Sequence, residues 1–213
     1  MVSVRLSSRK LLWLILGGGI LVLAAWGVYR QRHWPLVNAP PAAVGPVLCF
    51  GDSLVAGDGT DTPAESYPAL LAGMLGRPTI AAGVSGETAV EGWARLQANL
   101  DLTGAIVIVT LGGNDILQRR PWTETSQALR HIFGEFQHRG AMVVYTGVEP
   151  PFPGTGLRGR QRQLCRDCGV LFVPDILGDI LARPGLKADQ IHPNAAGYRE
   201  FARRVADALR FSL

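Results

Sequence analysis

Five short runs rich in Val, Ile and Leu recur along the chain, at residues 47–50, 79–82, 105–111, 141–146 and 170–173, with longer segments of helical periodicity between them. A continuous apolar run of this length suits a strand covered on both faces, the situation inside a parallel sheet. The helical spacing falls over 66–75, 88–100, 123–138, 158–168 and 194–211, each between two strands or after the last. Regular alternation implies right-handed crossovers with helices on both faces, so the pattern predicts a three-layer α/β/α sandwich around a five-stranded parallel sheet. Ligand sites in such sheets form outside the carboxyl ends of the strands. The residues that follow each apolar run are therefore where chemistry is expected.

The 213 residues, 47% of them hydrophobic, suffice for one ample core, and nothing in them demands a second domain. The formal charge of +4 is unevenly placed: Arg5, Arg9, Lys10, Arg30 and Arg32 all precede the first acidic residue, Asp52. The remainder carries 16 basic against 17 acidic residues, which argues against a nucleic-acid surface. Residues 11–29 are uncharged and ten of these 19 are Leu, Ile or Val, long enough to cross a bilayer core of about 30 Å. A signal-anchor over 1–30 is the expectation. Its rival is a cleaved secretory signal with its apolar region at 11–23, but Ala25-Trp26-Gly27 is a poor cleavage site and Arg30 and Arg32 follow closely. Either reading exports the domain to the periplasm or another extracytoplasmic space. Residues 31–46 carry Pro35, Pro40, Pro41 and Pro46 and suit a tether, leaving 47–213 as the folded domain.

Gly51-Asp52-Ser53-Leu54 directly follows the first run, Gly112-Gly113-Asn114-Asp115 the third, and Asp189-Gln190-Ile191-His192-Pro193 precedes the last helix. A serine hydroxyl attacks a carbonyl only when a held imidazole takes its proton. His192 is the candidate base, and Asp189, three residues upstream, is close enough to fix its tautomer. The tetrahedral intermediate needs prearranged donors, for which the Asn114 amide and the backbone N–H groups of Ser53 and Gly86 are candidates. Each element has a plain structural alternative: a helix-capping serine, a polar loop histidine, a strand-to-helix turn. Their joint placement at strand ends favours the chemical reading. Leu54, Ile116, Leu117, Trp122 and Phe152 are placed to line an acyl groove, while Arg119-Arg120 beside Trp122 reads as a solvated loop or an anionic head-group contact. Cys165-x-x-Cys168 lies at a helix C-terminus, the wrong end for a reactive thiolate, and has no second pair for zinc. No cofactor or metal is expected.

Gly-Asp-Ser-Leu, the glycine of Ser85-Gly86-Glu87-Thr88, Gly-Gly-Asn-Asp and Asp-x-x-His-Pro-Asn, in this order, resemble the SGNH (GDSL) hydrolase family. Tyr67-Pro68-Ala69-Leu70-Leu71 and Ala94-Arg95-Leu96 are similar to its bacterial periplasmic branch of thioesterases, arylesterases and lysophospholipases. The resemblance implies a flavodoxin-like SGNH fold, Ser53 as nucleophile, Asp189 and His192 as its partners, and Ser53, Gly86 and Asn114 as oxyanion donors. It further implies hydrolysis of an ester, thioester or lysophospholipid. Ala81 replaces an asparagine frequent in that branch. Competing readings are acyl transfer to, or deacetylation of, an envelope glycan through the same triad, and a tethered binding module without activity. A nucleotide-binding role lacks its Gly-rich phosphate loop.

Overall fold

In the computed structural model, which describes residues 34–41, 45–150 and 154–210, a strand at Val47–Gly51 (β1) lies buried at every position. It pairs in parallel with β2 (Thr79–Gly83) on one side and β3 (Ile106–Thr110) on the other; β4 (Met142–Thr146) and β5 (Leu171–Val173) complete the order β2-β1-β3-β4-β5. The three inner strands are buried throughout, and β3 consists only of β-branched residues, which favour extended backbone. The edge strand β2 is half open, with Ile80 45% exposed.

Side chains alternate across the sheet. Val47, Cys49, Ile106 and Ile108 face one layer, where Tyr67 and Leu71 of α2 (Tyr67–Leu75) meet Tyr198, Phe201 and Val205 of the last helix, α8 (Ala195–Arg210). The Tyr67 and Phe201 rings stack at 4.3 Å. On the other face Phe50 packs edge-on against Phe136, and Tyr145 against Phe133, both partners from α5 (Trp122–His138). The remaining long helices are α3 (Ala89–Ala98) and α6 (Leu157–Cys168). The expected three-layer α/β sandwich is thus the observed one.

Three short helices escaped the periodicity: α1 (Ser53–Ala56), α4 (Gly113–Leu117) and α7 (Gly178–Ala182). Each has at most five residues, too few to show a helical repeat. The expected anchor over 11–29 lies outside the described residues, and among those described no helix is long and apolar enough to cross a membrane. Part of the expected tether is docked on the domain. Val37 N–H donates to the Gly169 carbonyl at 2.9 Å, and the Asn38 amide donates to the carbonyls of Gln137 and Ala141 at 2.9 and 3.1 Å. The compact unit accordingly begins at Leu36.

Candidate active site

Gly51 ends β1 in a space that admits no side chain: a Cβ there would lie 2.1 Å from the Thr110 carbonyl oxygen. The chain turns at once into α1, capped by Asp52, whose Oδ1 accepts the Leu54 N–H at 3.0 Å. Ser53 is the first residue of α1 and is 9% exposed. Its Oγ lies 3.0 Å from His192 Nε2, a contact between residues 139 positions apart. His192 Nδ1 in turn lies 2.8 Å from Asp189 Oδ2. With Nδ1–H directed at the carboxylate, Nε2 is left to accept the serine proton. Asp189 Oδ1 accepts the N–H groups of Ile191 and His192 at 2.7 and 2.8 Å. Hydrogen bonding from the imidazole and then from the Ile191 N–H lowers the Asp189 pKa to about 2, so it stays ionised.

The histidine segment is held from both ends. Ala188 N–H donates to the His192 carbonyl at 2.9 Å, Asn194 N–H to that of Leu186 at 3.0 Å, and the Asn194 side chain caps α8 by accepting the Gly197 N–H at 3.0 Å.

Asn114, in α4, donates through Nδ2 to the Glu87 carbonyl at 3.0 Å and lies 3.5 Å from Asp52 Oδ2. Gly86, one residue before Glu87, has φ +82, a left-handed conformation that glycine adopts without strain. Gly86 is exposed, and its loop is joined to Asn114 through the Glu87 carbonyl. The Glu87 carboxylate is buried and paired twice with Arg95, at 2.6 Å each; Arg95 Nη2 also donates to the carbonyls of Gly51 and Ala82, and its guanidinium lies 4.1 Å over the Phe50 ring. Asp115 binds the Ala89 N–H and the Thr125 hydroxyl, fixing α4 against α3 and α5. Nothing in the sequence marks Glu87 and Asp115 as organisers, and Arg95 stands out there only within the Ala94-Arg95-Leu96 motif. Asp52 supports the turn, but its burial is larger than a turn requires: at 2% exposure, desolvation first and the Glu87 charge further raise its pKa to about 7, against the opposing pull of the Leu54 N–H.

Ser53, Asn114 and His192 open on a cleft of about 860 Å³ whose walls include Leu54, Ile116 and Leu117, with Val148, Leu177 and Leu181 besides. Trp122 is elsewhere: it lines a neighbouring cavity of about 260 Å³. Phe152 lies outside the described residues. Cys165 and Cys168 are both free thiols, the first buried with its pKa raised by desolvation. Among the described residues no group of three or more His, Cys, Asp or Glu side chains converges as a metal site would require.

A hydroxyl, an imidazole and a carboxylate in a hydrogen-bonded series, at the carboxyl edge of a parallel sheet and beside an apolar cleft, mark a serine hydrolase of ester bonds. The model of the GDSL-like Lipase/Acylhydrolase family matches residues 49–200, and the chain belongs to that family. Esterase TesA of Pseudomonas aeruginosa is 31% identical over 183 residues, covering 79% of this chain and 90% of the relative. Thioesterase 1/protease 1/lysophospholipase L1 of Escherichia coli K12 is 31% identical over 169 residues, or 75% of this chain and 80% of the relative. Among solved structures, that of TesA superposes with a TM-score of 0.68 at 29% identity, covering 79% of this chain and 99% of its own. AlinE4, an SGNH-hydrolase family esterase, gives 0.62 at 33% identity, covering 81% of this chain and 98% of its own.

Proposed function

We propose that Ser53 is the nucleophile, His192 the general base and acid, and Asp189 the carboxylate that orients the imidazole, in hydrolysis of acyl esters and thioesters. The 3.0 Å contact between Ser53 Oγ and His192 Nε2 carries this reading. As Oγ attacks the substrate carbonyl, Nε2 takes its proton, and the ionised Asp189 stabilises the resulting imidazolium. The backbone N–H groups of Ser53 and Gly86 and the Asn114 side chain receive the oxyanion. Asn114 suits that role because one of its two amide hydrogens is committed to the Glu87 carbonyl, which fixes the rotamer. The imidazolium then protonates the departing alcohol or thiol, and a water activated by the same nitrogen hydrolyses the acyl-serine.

The apolar cleft beside Ser53, with Leu54, Ile116 and Leu117, supports an acyl-chain site, from which Trp122, on the neighbouring cavity, is left out. The names of the relatives, an esterase and a thioesterase that is also a lysophospholipase, support oxyesters, thioesters and lysophospholipids as the substrate classes to test. We infer from the sequence that residues 1–30 anchor the enzyme in a membrane with the hydrolase domain on the extracytoplasmic side. Membrane fractionation before and after alkaline carbonate extraction tests this, since release into the soluble fraction overturns it.

Ser53→Ala is expected to lower turnover of p-nitrophenyl acyl esters by about 10⁶-fold, as loss of a serine nucleophile does, with the melting temperature nearly unchanged. It is also expected to abolish labelling by a fluorophosphonate. Retained turnover or labelling in a folded variant removes the assignment. Profiling esters from acetyl to palmitoyl beside lysophospholipid and acyl thioester then ranks the substrates.

A further inference from the structure

The cavity next to the catalytic cleft differs from it in charge. The two share Ile116 and Pro150 as a common wall. Helix α4 spans the boundary, carrying Asn114 and Ile116, and the chain then places Arg119 and Arg120 on the smaller cavity, where Arg160 of α6 and Trp122 of α5 join them. Three guanidinium groups there face one carboxyl group, Asp115, which is 2% exposed and already bonded through both oxygens to the Ala89 N–H and the Thr125 hydroxyl. The catalytic cleft has the opposite balance: Glu149 and Asp175 against Arg158, whose guanidinium is taken up by Glu149 at 2.7 Å and Asp175 at 2.9 Å.

Among the described residues, Arg119, Arg120 and Arg160 form no ion pair within 4.0 Å, whereas Arg95, Arg158 and Arg204 do. Arg120 Nε donates to the Gln118 side chain and Arg160 Nη2 to the Thr155 carbonyl, which leaves other N–H donors of each fork unused. Glu91, the carboxylate that feels the charge of Arg120, is itself bonded to Thr88. Arg160 lies 5.8 Å from the centre of the Trp122 ring, a contact that orients a guanidinium without neutralising it. Planar forks of this kind bind phosphate oxygens in pairs. A volume of about 260 Å³ holds a head group, not a whole ligand, whereas 860 Å³ accommodates a chain.

We propose that this cavity is a subsite for a phosphate-bearing leaving group, so that the substrate lies with its acyl chain in the apolar cleft and its phosphate among Arg119, Arg120 and Arg160. The proposal rests on the serine-hydrolase reading and names the substrate class for that site: esters or thioesters whose alcohol or thiol portion carries a phosphate. Two sources share this chemistry, a glycerophosphate head group and a phosphorylated pantetheine thiol.

The test compares full-length enzyme with the R120Q/R160Q double variant on two matched pairs of substrates. One pair is acyl glycerophosphate against monoacylglycerol of the same chain; the other is acyl-CoA against the acyl thioester of N-acetylcysteamine. In each pair the readout is the ratio of kcat/KM for the phosphorylated over the neutral member. That ratio is expected to fall about 10- to 100-fold in the variant, the loss of one or two charge-assisted contacts. A fall in the first pair assigns the head group and a fall in the second the thiol carrier. Unchanged ratios in both pairs overturn the subsite while leaving the hydrolase reading intact; no turnover of any substrate by the wild type overturns that reading instead. Should the variant fail to fold, the wild type decides: raising NaCl must lower the ratio in at least one pair, and a flat response in both overturns the proposal.

Discussion

Asp52 adjoins Ser53, the proposed nucleophile, yet belongs to no part of the proposed proton relay; its Oδ1 accepts the Leu54 N–H, and its Oδ2 lies 3.5 Å from the Asn114 amide nitrogen. Burial keeps its proton on to about pH 7, whereas in the unfolded chain it leaves near the ordinary 3.8. Between those values the folded form binds a proton that the unfolded form does not, so stability falls as pH rises through this window, by up to about 4 kcal/mol in all. The shift of Asp189 acts in the opposite direction and below the window, where stability is lost as pH falls from the ordinary 3.8 towards 2. Asp52→Asn keeps an oxygen for the Leu54 N–H and removes the charge. It is expected to flatten the dependence of urea-unfolding free energy on pH from 5 to 8 and to be more stable than wild type at pH 8; parallel curves for the two proteins would refute the buried-proton account. The residues of the proposed triad stand out in the sequence because their spacing is local: three positions separate Asp189 from His192, and one tripeptide holds Ser53. The protonation of Asp52 was not legible, because it arises from burial under Glu87 and Asn114, which come from other loops.

At the scale of elements, Arg95 of α3 joins the ends of two strands. It bonds the carbonyls that close β1 and approach the end of β2, and its pair with Glu87 holds the loop whose carbonyl orients Asn114. Arg95→Met leaves the Glu87 carboxylate, 5% exposed, without its counter-charge, and is expected to destabilise the fold by about 3–5 kcal/mol. Adding Glu87→Gln should restore part of that loss. Calorimetry of the two variants checks the order, and a double variant less stable than the single one contradicts it. Strand positions could be read in advance since β1, β3 and β4 are covered on both faces and leave unbroken apolar runs. Helix α4 could not, although it carries Asn114: five residues beginning with glycine look like any turn. The Glu87–Arg95 pair was hidden for a related reason, with one partner in a loop and the other a turn and a half into a helix, at a spacing no regular element implies.

Across the whole molecule the least legible feature was where the domain starts, because residues 36–39 have neither strand nor helix periodicity and their partners lie about a hundred positions away. Those partners, Gln137, Ala141 and Gly169, lead into β4 and β5 at their amino ends, opposite the edge that carries Ser53, Asn114 and His192. A further bond, from Arg77 Nη2 to the Gly45 carbonyl at 2.8 Å, secures the stretch before β1. A protein beginning at Leu36 keeps all of these bonds, whereas one beginning at Val47 loses them together with the packing of Leu36 and Ala39 on the core. Counting the Ala105 N–H to the Pro46 carbonyl at 3.1 Å as well, five hydrogen bonds at about 0.5–1.5 kcal/mol each make the shorter protein less stable by about 3–7 kcal/mol. At about 2–4 °C per kcal/mol for a domain of this size, the difference is measurable in a thermal melt. Because the lost contacts are at the far edge of the sheet, kcat on a short-chain ester should be the same for both truncated proteins at a temperature where both are folded. Equal melting temperatures would show that residues 36–46 are a passive linker after all, and a fall in kcat without a fall in stability would show that the amino edge of the sheet reaches Ser53 and His192.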